Sequence, residues 1–81
     1  MSQKGIKKTV LQEEADRVIR ILHQEIYSGL RLPRERLVEN TLAETFSVSR
    51  MVIRQVLNQL ESEGLVEIEP YKGARVASIS I

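Results

Sequence analysis

Eighty-one residues, 42% of them hydrophobic and 28% charged, describe one small globular domain rather than a disordered chain. The absence of cysteine and the single histidine, His23, exclude disulfides, thiol nucleophiles and thiolate or multi-histidine metal sites. A net charge of +1 is too small to argue for an anionic partner in bulk, and no apolar run approaches the ~18 residues of a membrane span.

Residues 1–8 are polar and basic, with no apolar segment of a secretory signal behind them, and are expected to be a flexible N-terminal segment. Thr9-Val10-Leu11-Gln12 fits a capping box, in which the Thr9 hydroxyl and the Gln12 amide each satisfy an early backbone N–H. Leu11, Ala15, Val18, Leu22 and Ile26 then recur at helical spacing, and Gly29 is a natural stop. The first helix is therefore expected over 10–28. Arg31 to Leu37 contains Pro33 and several charges and reads as a connector, with Leu37-Val38 a short strand. A second helix spans 39–46 with Leu42, Ala43 and Phe46 inward, and Val38 is a poor cap for it.

Ser49 is a proper N-cap for a third helix that ends at Gly64. At 100° per residue, Ile53, Val56, Leu57 and Leu60 fall in one arc, and Arg50, Met51, Arg54, Gln55 and Asn58 fall in the opposite one. Two β-rich runs follow, Leu65 to Glu69 and Ala74 to Ile81, separated by Pro70-Tyr71-Lys72-Gly73. A mainly α chain with a small β-hairpin, in the order helix, helix, turn, helix, hairpin, is a winged helix-turn-helix. That architecture usually reads duplex DNA.

The polar arc of the third helix carries hydrogen-bonding side chains rather than plain Glu/Lys solvation. Arg50 and Arg54 are four apart and project together from the first turns, where a recognition helix meets base edges in the major groove. The arginine fork matches guanine O6 and N7, and the amides of Gln55 and Asn58 suit adenine or phosphate. Ser49 stands where a helix N-terminus receives a phosphate. Isolated arginines more often pair with nearby acids, here Glu44 or Glu61. Lys72 offers a phosphate or minor-groove contact and Gly73 gives the turn backbone freedom. Tyr71 reads either as a ring against sugar or as a solvated turn residue. Arg75 is divided between phosphate and an ion pair with Glu67 or Glu69. His23, near Tyr27 by spacing, reads as packed or solvated. No phosphate loop, nucleophile triad or metal-spaced cluster appears, so neither an enzyme nor a cofactor is expected.

These residues resemble the DNA-binding domain of GntR-type bacterial transcription regulators. The resemblance rests on Leu32-Pro33, Glu35-Arg36-Leu37, Leu42-Ala43, Val48-Ser49-Arg50, Ile53-Arg54, Leu57, Leu60, Glu63-Gly64-Leu65-Val66 and Lys72-Gly73-Ala74, over about 10–77. It implies operator contacts by Ser49, Arg50 and Arg54, and a minor-groove approach by Gly73. The family's DNA-contacting arginine at the start of the second helix is Asn40 here, and its small hydroxyl residue after the arginine is Met51. Its connector glycine is Arg34, its serine cap is Val38, and its frequent wing glycine is Tyr71. These changes imply an altered operator preference.

The domain is expected over 9–77, with 78–81 a tail or the start of a linker to the metabolite-binding domain that family members carry, so no effector is expected within this chain. The partner implied is a double-stranded operator, met in the cytoplasm at the nucleoid, by a weak homodimer or by copies pairing on DNA. A different class, a winged-helix module that binds protein with the same face, is the alternative.

Overall fold

The computed structural model describes residues 9–78; the expected N-terminal segment 1–8 and residues 79–81 of the tail lie outside them. The element order is α1 (Val10–Ser28), β1 (Arg36–Leu37), α2 (Glu39–Phe46), α3 (Arg50–Ser62), β2 (Val66–Glu69) and β3 (Gly73–Val76). The capping box forms at the head of α1: Gln12 N–H donates to Thr9 Oγ1 at 3.0 Å, and Thr9 N–H to Gln12 Oε1 at 3.1 Å. Gly29 closes the helix at φ 86°. Ala15, Val18 and Leu22 are buried as the spacing requires, whereas Leu11, one turn earlier, is 45% exposed.

α3 packs its apolar arc on α1, α2 and the sheet. Ile53, Val56, Leu57 and Leu60 are all buried, joined by Val52, which widens that arc beyond the four residues the helical wheel selects. Beyond Ser62 the chain turns through Gly64 at φ 80°, and Leu65 N–H reaches back to the Leu60 carbonyl at 3.0 Å. That bond gives Leu65 to the helix end, so β2 starts one residue later than expected. The three strands are antiparallel in the order β1-β3-β2, with Leu37 opposite Ala74 and Val66 opposite Val76. Two strand expectations shift. β1 is Arg36–Leu37 rather than Leu37-Val38, because the register that buries Leu37 against Ala74 leaves Val38 as the N-cap of α2. β3 is Gly73–Val76, starting one residue before Ala74 and not running through Ala77 and Ser78, although Ala77 N–H still donates to the Leu65 carbonyl at 2.9 Å where the chain leaves the helix end.

The turn between α2 and α3 is what aims the third helix. Ser47 takes a left-handed φ of 57°, and Val48 N–H donates to the Ala43 carbonyl at 3.0 Å. From α1, Arg17 Nη2 donates to the Phe46 carbonyl at 3.0 Å, placing a cation on an otherwise unsatisfied acceptor at the end of α2. Val38 makes no side-chain cap, as expected, so the start of α2 depends on tertiary packing.

Two turns share one construction. Leu32-Pro33-Arg34-Glu35 is closed by Glu35 N–H to Leu32 C=O at 3.0 Å, and Glu69-Pro70-Tyr71-Lys72 by Lys72 N–H to Glu69 C=O at 3.1 Å. In both, proline holds the second position and the third residue has positive φ: 69° at Arg34 and 65° at Tyr71. Those are the demands of a type II turn, which favours glycine at the third position. They are also the two places where the resemblance anticipates glycine. Arg34→Gly is accordingly expected to raise stability by up to about 1 kcal/mol, because strain of about 1–2 kcal/mol exceeds the added backbone entropy of glycine. A thermal melt checks this; a lowered midpoint means the Arg34 side chain contributes more than its strain costs.

Candidate nucleic-acid interface

The outward arc of α3 stands in solvent as a set: Arg50, Met51, Arg54, Gln55 and Asn58 are all exposed, Met51 at 66%. Ser49 caps the helix, its Oγ accepting from Val52 N–H at 3.2 Å, which leaves the hydroxyl hydrogen to donate outward. The arginines are not loose. Arg54 Nε donates to Glu39 Oε2 at 3.1 Å and its Nη2 to Oε1 at 3.2 Å, a two-pronged pair reaching from α3 to the first residue of α2. Arg50 Nη1 donates to Asn40 Oδ1 at 3.3 Å, one residue further along α2. Glu44 and Glu61, the acids offered as the alternative to a DNA contact, are not the partners of these arginines; Glu39 and Asn40 are. Helix crossing, not spacing along α3, brings the first turn of α2 over these arginines.

Hydrogen bonding from Arg54 holds the Glu39 carboxyl below its ordinary range, against the opposing effect of burial, with the Arg54 and Arg50 charges adding to the lowering. Glu39 thus stays ionised and fixes the guanidinium plane of Arg54, which itself remains largely in water. Asn40, placed in the site for its sequence position, acts in the free chain as the holder of Arg50.

The wing completes the surface. A cleft of about 450 Å³ runs between α3 and the hairpin, with Arg54 and Asn58 on one wall and Lys72 and Gly73 on the other. Its floor is apolar, from Leu37, Leu57, Ile68 and Ala74. Arg36, which sequence reasoning treated only as part of the connector, lines the same cleft and donates from Nη2 to the Lys72 carbonyl at 3.3 Å, anchoring the wing turn to β1. The signal for it was β pairing: Arg36 lies opposite Arg75 on β3. Arg75 in turn lies opposite Glu67, which the sequence offered as a partner, yet no ion pair joins them among the described residues. Arg50, Arg54, Asn58, Lys72 and Gly73 are thus carried by neighbouring elements. Gln55 lies on the exposed arc outside the cleft lining.

His23 lies away from this surface. Its Nε2 is 2.6 Å from Glu63 Oε1, and its ring meets Tyr27 edge-on at 5.9 Å. Gln59 and then His23 hold the Glu63 carboxyl below its usual range, so this group ties α1 to the end of α3. Among the described residues no cluster of three or more His, Cys, Asp or Glu is placed to hold a metal, and no helix is long and apolar enough to cross a membrane.

Comparison with known proteins bears on the same elements. The chain is 37% identical over 65 residues to the galactonate operon transcriptional repressor of Escherichia coli, covering 79% of this chain and 28% of that protein. It is 36% identical over 59 residues to YdhC, an HTH-type transcriptional regulator of Bacillus subtilis, covering 73% of this chain and 26% of the relative. The chain thus spans little more than a quarter of these proteins. Among solved structures, AraR(DBD) in complex with operator ORR3 superposes with a TM-score of 0.74 at 28% identity, over 95% of this chain and 92% of that one. A GntR family regulator from Pseudomonas syringae superposes with a TM-score of 0.77 at 32% identity, over 93% of this chain and 32% of the other. The pattern described as bacterial regulatory proteins, gntR family, matches residues 14–76, from α1 through the wing, and the chain belongs to that family of transcriptional regulators.

Proposed function

We propose that residues 9–77 are the sequence-specific, duplex-DNA-binding module of a bacterial transcription regulator. In this reading α3 enters the major groove and the wing lies on the flanking backbone or minor groove. One observation carries it: the exposed arc of α3 presents Arg50 and Arg54 already held by Asn40 and Glu39, beside a wing whose Lys72 faces the same cleft. Preheld guanidinium forks lose little freedom on meeting guanine, which favours base reading over diffuse charge attraction. Gln55, Asn58 and Met51 are assigned to adjoining base edges, Met51 through a thymine methyl, and Lys72 and Gly73 to the wing contact. Ser49 is assigned to a phosphate beside the helix N-terminus, because its oxygen caps α3 while its O–H remains to donate. The AraR domain solved on its operator supports the assignment.

No catalytic role is assigned to any residue, and the site of action is the cytoplasm, where the operator lies. Recovery of a common motif from random duplexes tests the reading, and selection that returns no enriched sequence counts against it.

Assembly belongs to the same proposal. The chain is expected to be monomeric or weakly dimeric when free and to pair on DNA, where two half-sites about one helical turn apart raise the effective concentration. Sedimentation of the free chain checks this. A tight dimer in dilute solution that survives deletion of residues 78–81 contradicts it and points to α1 as an interface.

A further inference from the structure

Tyr71 sits where this fold least favours a side chain. It occupies the third position of the Pro70 turn with φ 65°, a conformation that costs an L residue and that glycine adopts freely. Its ring offsets none of that cost within the domain. The residue is 107% exposed, and no hydrogen bond, ion pair or ring contact engages it among the described residues. Yet the turn that carries it is firmly held, by Lys72 N–H to Glu69 C=O at 3.1 Å and by Arg36 to the Lys72 carbonyl at 3.3 Å. The adjacent Lys72 lines the cleft shared with Arg54. A fully exposed aromatic ring, on a pinned turn, beside the reading face, is thus kept against local strain. Strain of this kind concentrates where a residue serves a contact outside the fold.

We propose that Tyr71 is a non-ionic DNA contact, its ring seated in the minor groove against the deoxyribose wall while Lys72 meets phosphate. This rests on the DNA-binding reading above and adds to it the residue by which the wing engages DNA without charge. The chemistry fits that seat. The flat ring offers apolar faces to the sugars, and the phenol hydroxyl donates toward the A N3 and T O2 acceptors of the groove floor. A rigid turn presents the ring with little freedom left to lose on binding.

The test uses the full chain and a duplex recovered by selection, comparing Tyr71→Gly, Tyr71→Phe and Lys72→Ala in thermal melts and in anisotropy titrations across a salt series. Tyr71→Gly is expected to melt at or above the parent yet bind about ten-fold more weakly. Its log–log salt slope should be unchanged, because no charge is lost, whereas Lys72→Ala should flatten the slope by about 0.9. Tyr71→Phe should keep most of the affinity. Tyr71→Gly that binds as tightly as the parent overturns the proposal, as does a lowered melting point, which would place the ring in the fold's own packing. If the parent binds no duplex, the DNA reading fails and this proposal falls with it. If the parent binds and Tyr71→Gly binds equally, only the tyrosine assignment fails.

Discussion

Leu60→Ala is expected to lower stability by about 2–5 kcal/mol. Leu60 has no exposed surface, and it lies in the core cluster with Leu22 of α1 and Val66 of β2. Removing three methylene-equivalent groups there leaves a void that helices pinned at both ends collapse into only partly. A domain of this size holds only about 3–5 kcal/mol in total, so the variant should be largely unfolded near physiological temperature. Leu57→Ala provides the internal comparison. Leu57 is also buried, but it forms part of the floor of the wing cleft, where neighbours can shift toward the gap. Its loss should fall toward the lower end of the range. Chemical denaturation measures both. Equal and small losses would mean that the buried arc of α3 is misplaced.

Arg54→Ala carries the second large effect. It is expected to weaken binding to a selected duplex by about 1–3 kcal/mol while leaving the melting temperature near that of the parent, because the side chain lies outside the core. The ion pair it forms with Glu39 is partly solvated, at 64% and 32% side-chain exposure, and contributes little to folding. Glu39→Gln separates positioning from contact. It leaves Arg54 in place but loosens its hold and removes a negative charge from the face. Binding to unrelated duplexes should be equal or stronger, and the ratio of selected to unrelated binding should fall. Loss of affinity for all duplexes alike in Arg54→Ala would demote the arginine from a base reader to a phosphate contact.

Local rules carried much of the fold. The Thr9–Gln12 capping box, the Ser49 cap and the glycine stops at 29 and 64 each act over a few residues, so they stand out in sequence. The apolar period of α3 likewise told its faces apart, missing Val52 only because the helix is packed on more than one side. What escaped was non-local. The Arg54–Glu39 pair joins residues fifteen apart, and the acids set against a DNA contact, Glu44 and Glu61, are not the ones met, because the α2–α3 crossing decides the contact. Arg36 was overlooked for the same reason: its place beside the wing follows from strand register, which a two-residue strand barely signals. The positive φ at Arg34 and Tyr71 was half-legible. The family pattern marks both as glycine positions, and the turn geometry supplies the reason.

The most direct measurement of the central claim is the salt dependence of binding to a selected duplex, set beside a scrambled duplex of equal length and composition. Log affinity should fall linearly with log salt by about 0.9 for each phosphate neutralised. The selected duplex should keep its advantage across the series, and that advantage should shrink in Arg50→Ala and Arg54→Ala. Binding that ignores salt, or that treats the two duplexes alike while the arginine variants behave as the parent, would contradict the assignment of α3 and the wing to DNA.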